Sequence, residues 1–293
     1  MKKIVIGSRG SDLALWQAHH VKSQLEKLNC EVEIKIIKTQ GDQIQNLSFD
    51  KMEGKGFFTK ELENALLNER IDLAVHSHKD LETTSPEGLM VAAVSDRENP
   101  SDILLIHKSA IDENQPYSLK LNAIVGTSSA RRKTQLKRLF PEIQINDLRG
   151  NVPTRINKLH EGHYDAIILA FAGVLRLNIN VSEFKVVEFD PSDFVPCPAQ
   201  GVLALQIRSN DDNLFRLVSQ LNNKIVQNRL AVERRILNLL DGGCQLPLGA
   251  FCPDDKQVFI SFTKDNQSAA KLYTFEFPKN EADIKEIVNR IQN

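Results

Sequence analysis

Apolar residues along this chain recur at two periods, and the order of those periods sets the expected architecture. Lys3 to Ile6 is an apolar run of strand length, and from Ser11 onward Ala14, Ala18, Val21, Leu25 and Leu28 recur at helical spacing. Ser11 stands where it can cap that helix. Glu31 to Lys38 alternates with the two-residue period of a strand, so the chain opens as a βαβ unit with a right-handed crossover. Phe57 to Asn68 carries a second helical pattern, Ile71 to His76 reads as a buried strand and Leu89 to Val94 as another. Residues 40–57 are polar, contain three glycines and keep no period. A loop of that length reads as a lid.

The polar run SDRENPSD, Ser95 to Asp102, breaks the pattern. A second unit follows, with strands expected at Ile103 to Ile106, Ala123 to Val125, Ile143 to Leu148 and Asp165 to Ala170, and helices between and after them. One of these helices, Val152 to Glu161, is closed by Gly162. DPSDFVPCPAQG, with three prolines and a glycine, forms a second break before a strand from Val202 to Ile207. Two breaks flanking one α/β unit imply a chain that leaves its first domain and returns, so that two lobes joined by two crossings enclose a cleft. Beyond Ser209 the pattern changes to a small α+β domain. It has helices at Leu214 to Leu221 and Gln227 to Leu240, strands at Val258 to Thr263 and Leu272 to Phe277, and a last helix from Glu281. The second of these helices sets Leu230, Ile236, Leu237 and Leu240 against Glu233, Arg234 and Arg235, and stops at Asp241-Gly242-Gly243. The expected division is residues 1–96 with 197–212, then 97–196, then 213–293.

At 293 residues the chain exceeds one ordinary core. Its 41% hydrophobic and 26% charged content is that of a soluble globular protein. No apolar run approaches the roughly 18 residues a membrane span needs, and MKKIVIGSRG reads as a first strand rather than a secretion signal. The four cysteines show no CxxC pairing and no metal-type spacing with the seven histidines. A cytoplasmic protein with free thiols and no metal is expected. The net charge of -1 argues against a nucleic-acid partner.

One stretch departs from that near-neutral total. Gly126 to Arg155 holds Arg131, Arg132, Lys133, Lys137, Arg138, Arg149 and Arg155 against Glu142 and Asp147, seven cations less two anions, or +5. Thr127, Ser128 and Ser129 lie between a strand and a helix, where free N–H groups attract anions. A second such junction carries Arg149, Gly150 and Arg155. Guanidinium groups at strand ends suit bidentate recognition of carboxylate or phosphate. Lys133, Lys137 and Arg138 read instead as a solvated basic face. In the first unit Arg9 and Ser11 follow a strand, and Lys79 and Asp80 end the run HSHKD. Asp80 can move protons or stabilise a cation, or simply cap a turn. Arg176 sits in FAGVLRL, and Lys51 and Lys55 lie on the expected lid, where closure would bring them to an anion. Cys244, flanked by glycines on one side in DGGCQLPLG, reads as a nucleophile or attachment point, or else as a buried thiol.

Taken together these pieces resemble the porphobilinogen deaminase family from Ile4 to about Phe251. The resemblance is carried by SRGSDLALWQA, TQGD, GKGFFTKELE, DLAVHSHKD, VGTSSARR, LRGNVPTR, YDAIILAFAGVLRL, PAQG and GGCQLPLG, in that order. It implies two periplasmic-binding-protein-like lobes of type II, the first discontinuous, plus the small C-terminal domain. It implies a transferase that joins four porphobilinogens head to tail, with a dipyrromethane cofactor held as a thioether at Cys244. Asp80 would be the catalytic carboxylate. Arg9, Ser11, Lys79, Thr127, Ser128, Ser129, Arg131, Arg132, Arg149, Gly150, Arg155, Arg176 and Gln200 would bind cofactor, substrate or the growing oligopyrrole chain. No nucleic acid, membrane or second subunit is implied. Gln40, Glu82, Pro153, Ala199 and Gln206 depart from the family's usual residues. The rival is a two-lobed anion-binding or effector-sensing protein without catalysis.

Overall fold

The computed structural model of the protein describes residues 3–39, 59–241 and 245–293. The expected lid with Lys51 and Lys55, and the expected attachment point Cys244, lie outside these residues.

The first lobe is built on β1 (Ile4–Ser8), α1 (Asp12–Lys27), β2 (Val32–Ile36), α2 (Lys60–Leu67), β3 (Leu73–Ser77) and β4 (Leu89–Val94). Its sheet runs β2-β1-β3-β10-β4, and β10 (Leu203–Arg208) arrives from far down the chain, antiparallel to both of its neighbours. The second lobe comprises β5 (Asp102–Ile106), β6 (Ile124–Gly126), α3 (Ala130–Leu139), β7 (Gln144–Asn146), α4 (Val152–His160), β8 (Ala166–Ala170), α5 (Phe171–Arg176) and β9 (Lys185–Glu188). Its sheet runs β7-β6-β8-β5-β9, with β5 the antiparallel member. Each crossing therefore enters its new lobe as the one antiparallel strand. The parallel strands of both sheets end near the crossings, and their carboxyl ends carry the residues of interest.

Burial explains the strand sequences. One face of the first sheet packs Ile4, Ile6, Leu73 and Val75 against Ala18, Val21 and Leu25 of α1. The other face sets Ala74 against Leu62 and Leu66 of α2. Strands covered on both faces read as near-continuous apolar runs, and in β5 every residue is buried. The C-terminal part holds α7 (Lys224–Leu239), a sheet β11-β12-β13 (Leu248–Phe251, Gln257–Phe262, Lys271–Glu276) and α8 (Glu281–Gln292) around its own core.

Several expectations are corrected. Strands β9 and β11 were not expected; each has four residues, too few to show a period. Helix α6 (Asp212–Val218) buries Leu214 and Val218 in the first lobe's core, so that lobe's packing runs past the expected boundary at residue 212. Glu233, read as part of a charged outer face, is completely buried. It accepts two hydrogen bonds from Arg97, at 2.8 and 2.7 Å, and one each from the N–H groups of Ala199 and Cys252. Ala199 has φ 65°, a left-handed conformation that residues other than glycine rarely adopt. Pro153 falls in the first turn of α4, where its missing N–H costs little.

Candidate active site

Asp80 closes a single 3₁₀ turn, His78–Asp80, that continues β3. Lys79 and Asp80 are half-buried at its tip. Nearby, β1 runs out into Arg9, and Ser11 caps α1, its Oγ accepting from the N–H of Ala14 at 3.4 Å. The side chains beneath the turn form a buried polar chain. His76 Nε2 donates to Gln206 Oε1 at 3.0 Å, and Gln206 Nε2 donates to Glu63 Oε1 at 3.2 Å. Burial drags His76 down to about 4, with the Arg9 charge acting in the same direction. His78 is also held neutral by burial, with Arg234 next in effect. The amide of Gln206 satisfies both neighbours, whereas a carboxylate there would face Glu63.

The second lobe meets this turn through Gln200. Lys79 Nζ lies 3.5 Å from Gln200 Oε1, and Gln200 Nε2 donates to Pro100 O at 2.7 Å and Asp102 Oδ1 at 3.0 Å. Asp102, at the start of β5 and wholly buried, lies between two guanidinium groups. Arg131 Nη1 is 2.7 Å from its Oδ2 and Arg132 Nη2 is 2.7 Å from its Oδ1. Burial alone would raise the carboxyl of Asp102; the two arginines override it and hold it well below the usual range. Each arginine also donates to a main-chain carbonyl, Arg131 to Val195 and Arg132 to Ile168. Two cations and one anion leave this buried cluster net positive.

The hydroxyl residues before α3 serve the fold. Ser129 caps the helix by accepting from Arg132 N, Ser128 Oγ donates to Leu148 O, and Thr127 Oγ1 accepts from Ser129 N. Gly150, at φ 113°, allows the turn into α4, since a Cβ there would come within 2.7 Å of Thr154. Its carbonyl accepts from Arg155 Nε at 2.8 Å. Burial lowers Arg155 to about 10, the positive charges of Arg132 and Arg149 add to this, and Asp80 acts in the opposite direction. Asp80 of one lobe and Arg132, Arg149 and Arg155 of the other thus share one electrostatic neighbourhood. Arg176 donates to Gly201 O at 2.6 Å and sits 5.7 Å from the Trp16 ring centroid, bridging α5, α1 and the returning crossing.

Of the basic face, Lys133 and Arg138 pair with Asp147 and Asp193, and Lys137 donates to Gln267 O. Two residues had no signal in the sequence reading. Asp102 ends a polar run in the sequence and opens β5, and Arg234 of α7 bonds to carbonyls around Asp80 that lie more than 150 positions away. Among the described residues no group of three or more His, Cys, Asp or Glu side chains could hold a metal. No described helix is long and apolar enough to cross a membrane.

Two α/β lobes, with a carboxylate on one and surplus guanidinium charge on the other, are an arrangement that suits an anionic ligand. Comparison with known proteins is more specific. Residues 4–216 match the family described as porphobilinogen deaminase, dipyromethane cofactor binding domain. The chain is 46% identical to the porphobilinogen deaminase of Sulfurimonas denitrificans, over 89% of this chain and 83% of that protein. It is 43% identical to that of Neisseria meningitidis serogroup A, over 87% and 80%. Among solved structures it is similar to a periplasmic binding protein of Salmonella typhimurium, with TM-score 0.42, 12% identity and coverage of 78% and 94%. It is likewise similar to the periplasmic VFT2 domain of BvgS from Bordetella pertussis, with TM-score 0.43, 14% identity and coverage of 80% and 91%.

The chain belongs to the porphobilinogen deaminase family. With the family go its transferase activity, hydroxymethylbilane synthesis from porphobilinogen, and its dipyrromethane cofactor.

Proposed function

We propose that Asp80 is the catalytic carboxylate of this condensation and that the guanidinium groups of the facing lobe hold the acidic side arms of the pyrroles. The observation that carries the reading is the link between the lobes: Lys79, beside Asp80, meets Gln200, and Gln200 meets Asp102, which two buried arginines outnumber. The charges of Arg132, Arg149 and Asp80 are all felt at Arg155. Each pyrrole of the family's substrate and cofactor brings an acetate and a propionate, so a dipyrromethane is a tetra-anion, and a surplus of guanidinium charge fits it. Arg131, Arg132, Arg149 and Arg155 would hold such carboxylates, with Arg9, Ser11 and Lys79 on the opposite lobe. Thr127, Ser128, Ser129, Gly150, Arg176 and Gln200 would shape the site. When bound, the dipyrromethane supplies a free pyrrole α-carbon as the nucleophile, tethered by a thioether at Cys244.

The rest of the work falls to the chain's own side chains. Loss of ammonia from porphobilinogen places positive charge on the pyrrole, and a carboxylate beside its N–H lowers the cost of that charge as it develops. Asp80 is half-buried, a setting in which the attraction is stronger than in water. The same carboxylate can take the proton displaced when the new carbon–carbon bond forms. Arginines that clamp the side arms hold both rings in reach, which itself contributes much of the acceleration. The boundaries at 96 and 196, a cytoplasmic location and a monomeric state belong to the same proposal.

The intact mass of protein purified from its producing cells tests it. An excess equal to two linked pyrroles, absent from Cys244→Ser, is expected. An unmodified protein that acquires no adduct from porphobilinogen would favour the sensing protein. Asp80→Asn is expected to keep the fold and lose most turnover, and wild-type kinetics in that variant would remove Asp80 from the mechanism.

A further inference from the structure

The turn that carries Asp80 is tied to the returning crossing by His78 N, which donates to Val202 O at 2.9 Å, and has little main-chain bonding of its own. It is three residues long, and its main chain is closed by one weak bond, Leu81 N to His78 O at 3.3 Å. Carbonyls at the end of so short a turn need partners from elsewhere. Arg234 supplies them from the far side of the chain. Its Nη1 donates to His78 O at 3.1 Å and to Leu81 O at 3.3 Å, and its Nη2 donates to Glu82 O at 2.5 Å. One helical turn further along α7, Asn238 Nδ2 donates to Thr83 Oγ1 at 3.1 Å. Positions four apart lie on one helix face, so a single stripe of α7 grips residues 78–84. The helix is itself anchored at the neighbouring position, where buried Glu233 binds Arg97 and the N–H groups of Ala199 and Cys252.

We infer that Arg234 is a positioning residue for the condensation: by gripping the main chain on both sides of Asp80 it holds that carboxylate where the positive charge of the reacting pyrrole develops. The inference rests on the reading of Asp80 given above. A planar fork is suited to this task, because its donors reach several carbonyls without rotating. Asp80 itself receives no bond from Arg234. The effect acts through the backbone, and a misplacement of about 1 Å can cost up to ~100-fold in rate.

The test compares holoenzymes carrying Arg234→Gln, Arg234→Lys, Asp80→Glu and the Arg234→Gln, Asp80→Glu pair. Each is measured for dipyrromethane loading by intact mass, melting temperature, and kcat and KM for porphobilinogen. A positioning role predicts that Arg234→Gln lowers kcat about tenfold with loading and KM unchanged, the pattern of an interaction felt only in the transition state. Arg234→Lys should recover part of the loss. In the Asp80→Glu background, where the carboxylate is already displaced, Arg234→Gln should cost much less than it does in the wild type. Unchanged kcat, or the same factor in both backgrounds, overturns the inference. If Arg234→Gln fails to fold or load, Arg234→Lys decides, and wild-type kcat in it is a refutation. Wild-type turnover in Asp80→Asn would instead overturn the reading of Asp80. An inactive Asp80→Asn beside a fully active Arg234→Gln would sink this inference alone.

Discussion

His76 shows how one buried side chain ties stability to pH. Its ring is enclosed beneath the Asp80 turn and bonded to Gln206, and burial brings it down to about 4 from an ordinary value near 6.5. The folded value lies below the unfolded one, so the unfolded chain takes up a proton between those limits and the native ring does not. The associated stability is complete above about pH 6.5 and is lost as pH falls through about 4. At pH 5 the loss is about 2 kcal/mol for this group. Urea unfolding at pH 7 and pH 5 should show a loss of at least that size, since His78 is held neutral too, and His76→Gln should reduce it by about 2 kcal/mol; an unchanged loss in the variant would assign the pH dependence to other groups. Nothing local in DLAVHSHKD marks His76 as different from His78. The amide that fixes its role is contributed by β10, 130 positions away.

At the scale of elements, glycines mark where backbone geometry limits substitution. Gly201 has φ 86°, and a Cβ there would lie 2.3 Å from the carbonyl oxygen of Glu98, at the point where the two crossings touch. Gly162 has φ 76° with nothing within 4 Å. Gly162→Ala is therefore expected to cost about 1 kcal/mol, the left-handed penalty alone. Gly201→Ala should cost at least about 3 kcal/mol, because rigid backbone must also move. Equal losses in urea unfolding would show that the Glu98 contact relaxes freely. Helices α1, α4 and α8 were legible because caps and periodic apolar positions are local signals, and Ser11 and Gly162 act as expected. Strands β9 and β11 were not, since four residues on the margin of a sheet carry too little periodicity.

Over the whole molecule, the C-terminal part is joined to the lobes by buried charge. Glu233 and Arg97 form a bidentate pair in which Glu233 is fully buried. Breaking one partner leaves the other charge in a low dielectric, which typically costs about 3–5 kcal/mol. Glu233→Gln should therefore lower stability by about that much and loosen α7 from the crossings, read as a broadened or two-step urea transition. Replacing Arg97 and Glu233 together with methionines should cost less than Glu233→Gln alone. A double variant as unstable as the sum of the singles would argue against coupling. The same helix presents Arg234 to the Asp80 turn, so the small domain acts at the candidate site as well as packing against it.

What the sequence determined by itself was whatever depends on neighbours along the chain: the βαβ periodicity, the breaks where the chain crosses between lobes, and the motifs that identify the family. It also marked the cations and the one acid at strand ends, because those positions follow from each strand's own length. Only the tertiary structure decided which of these charges meet. Arg131 and Arg132 are held by Asp102, Arg176 rests on Trp16 and the Gly201 carbonyl, and Arg155 shares its surroundings with Asp80. Such pairings depend on how separate elements pack, and the energy of a charge depends on its burial. Neither quantity is carried by the residues on either side of it.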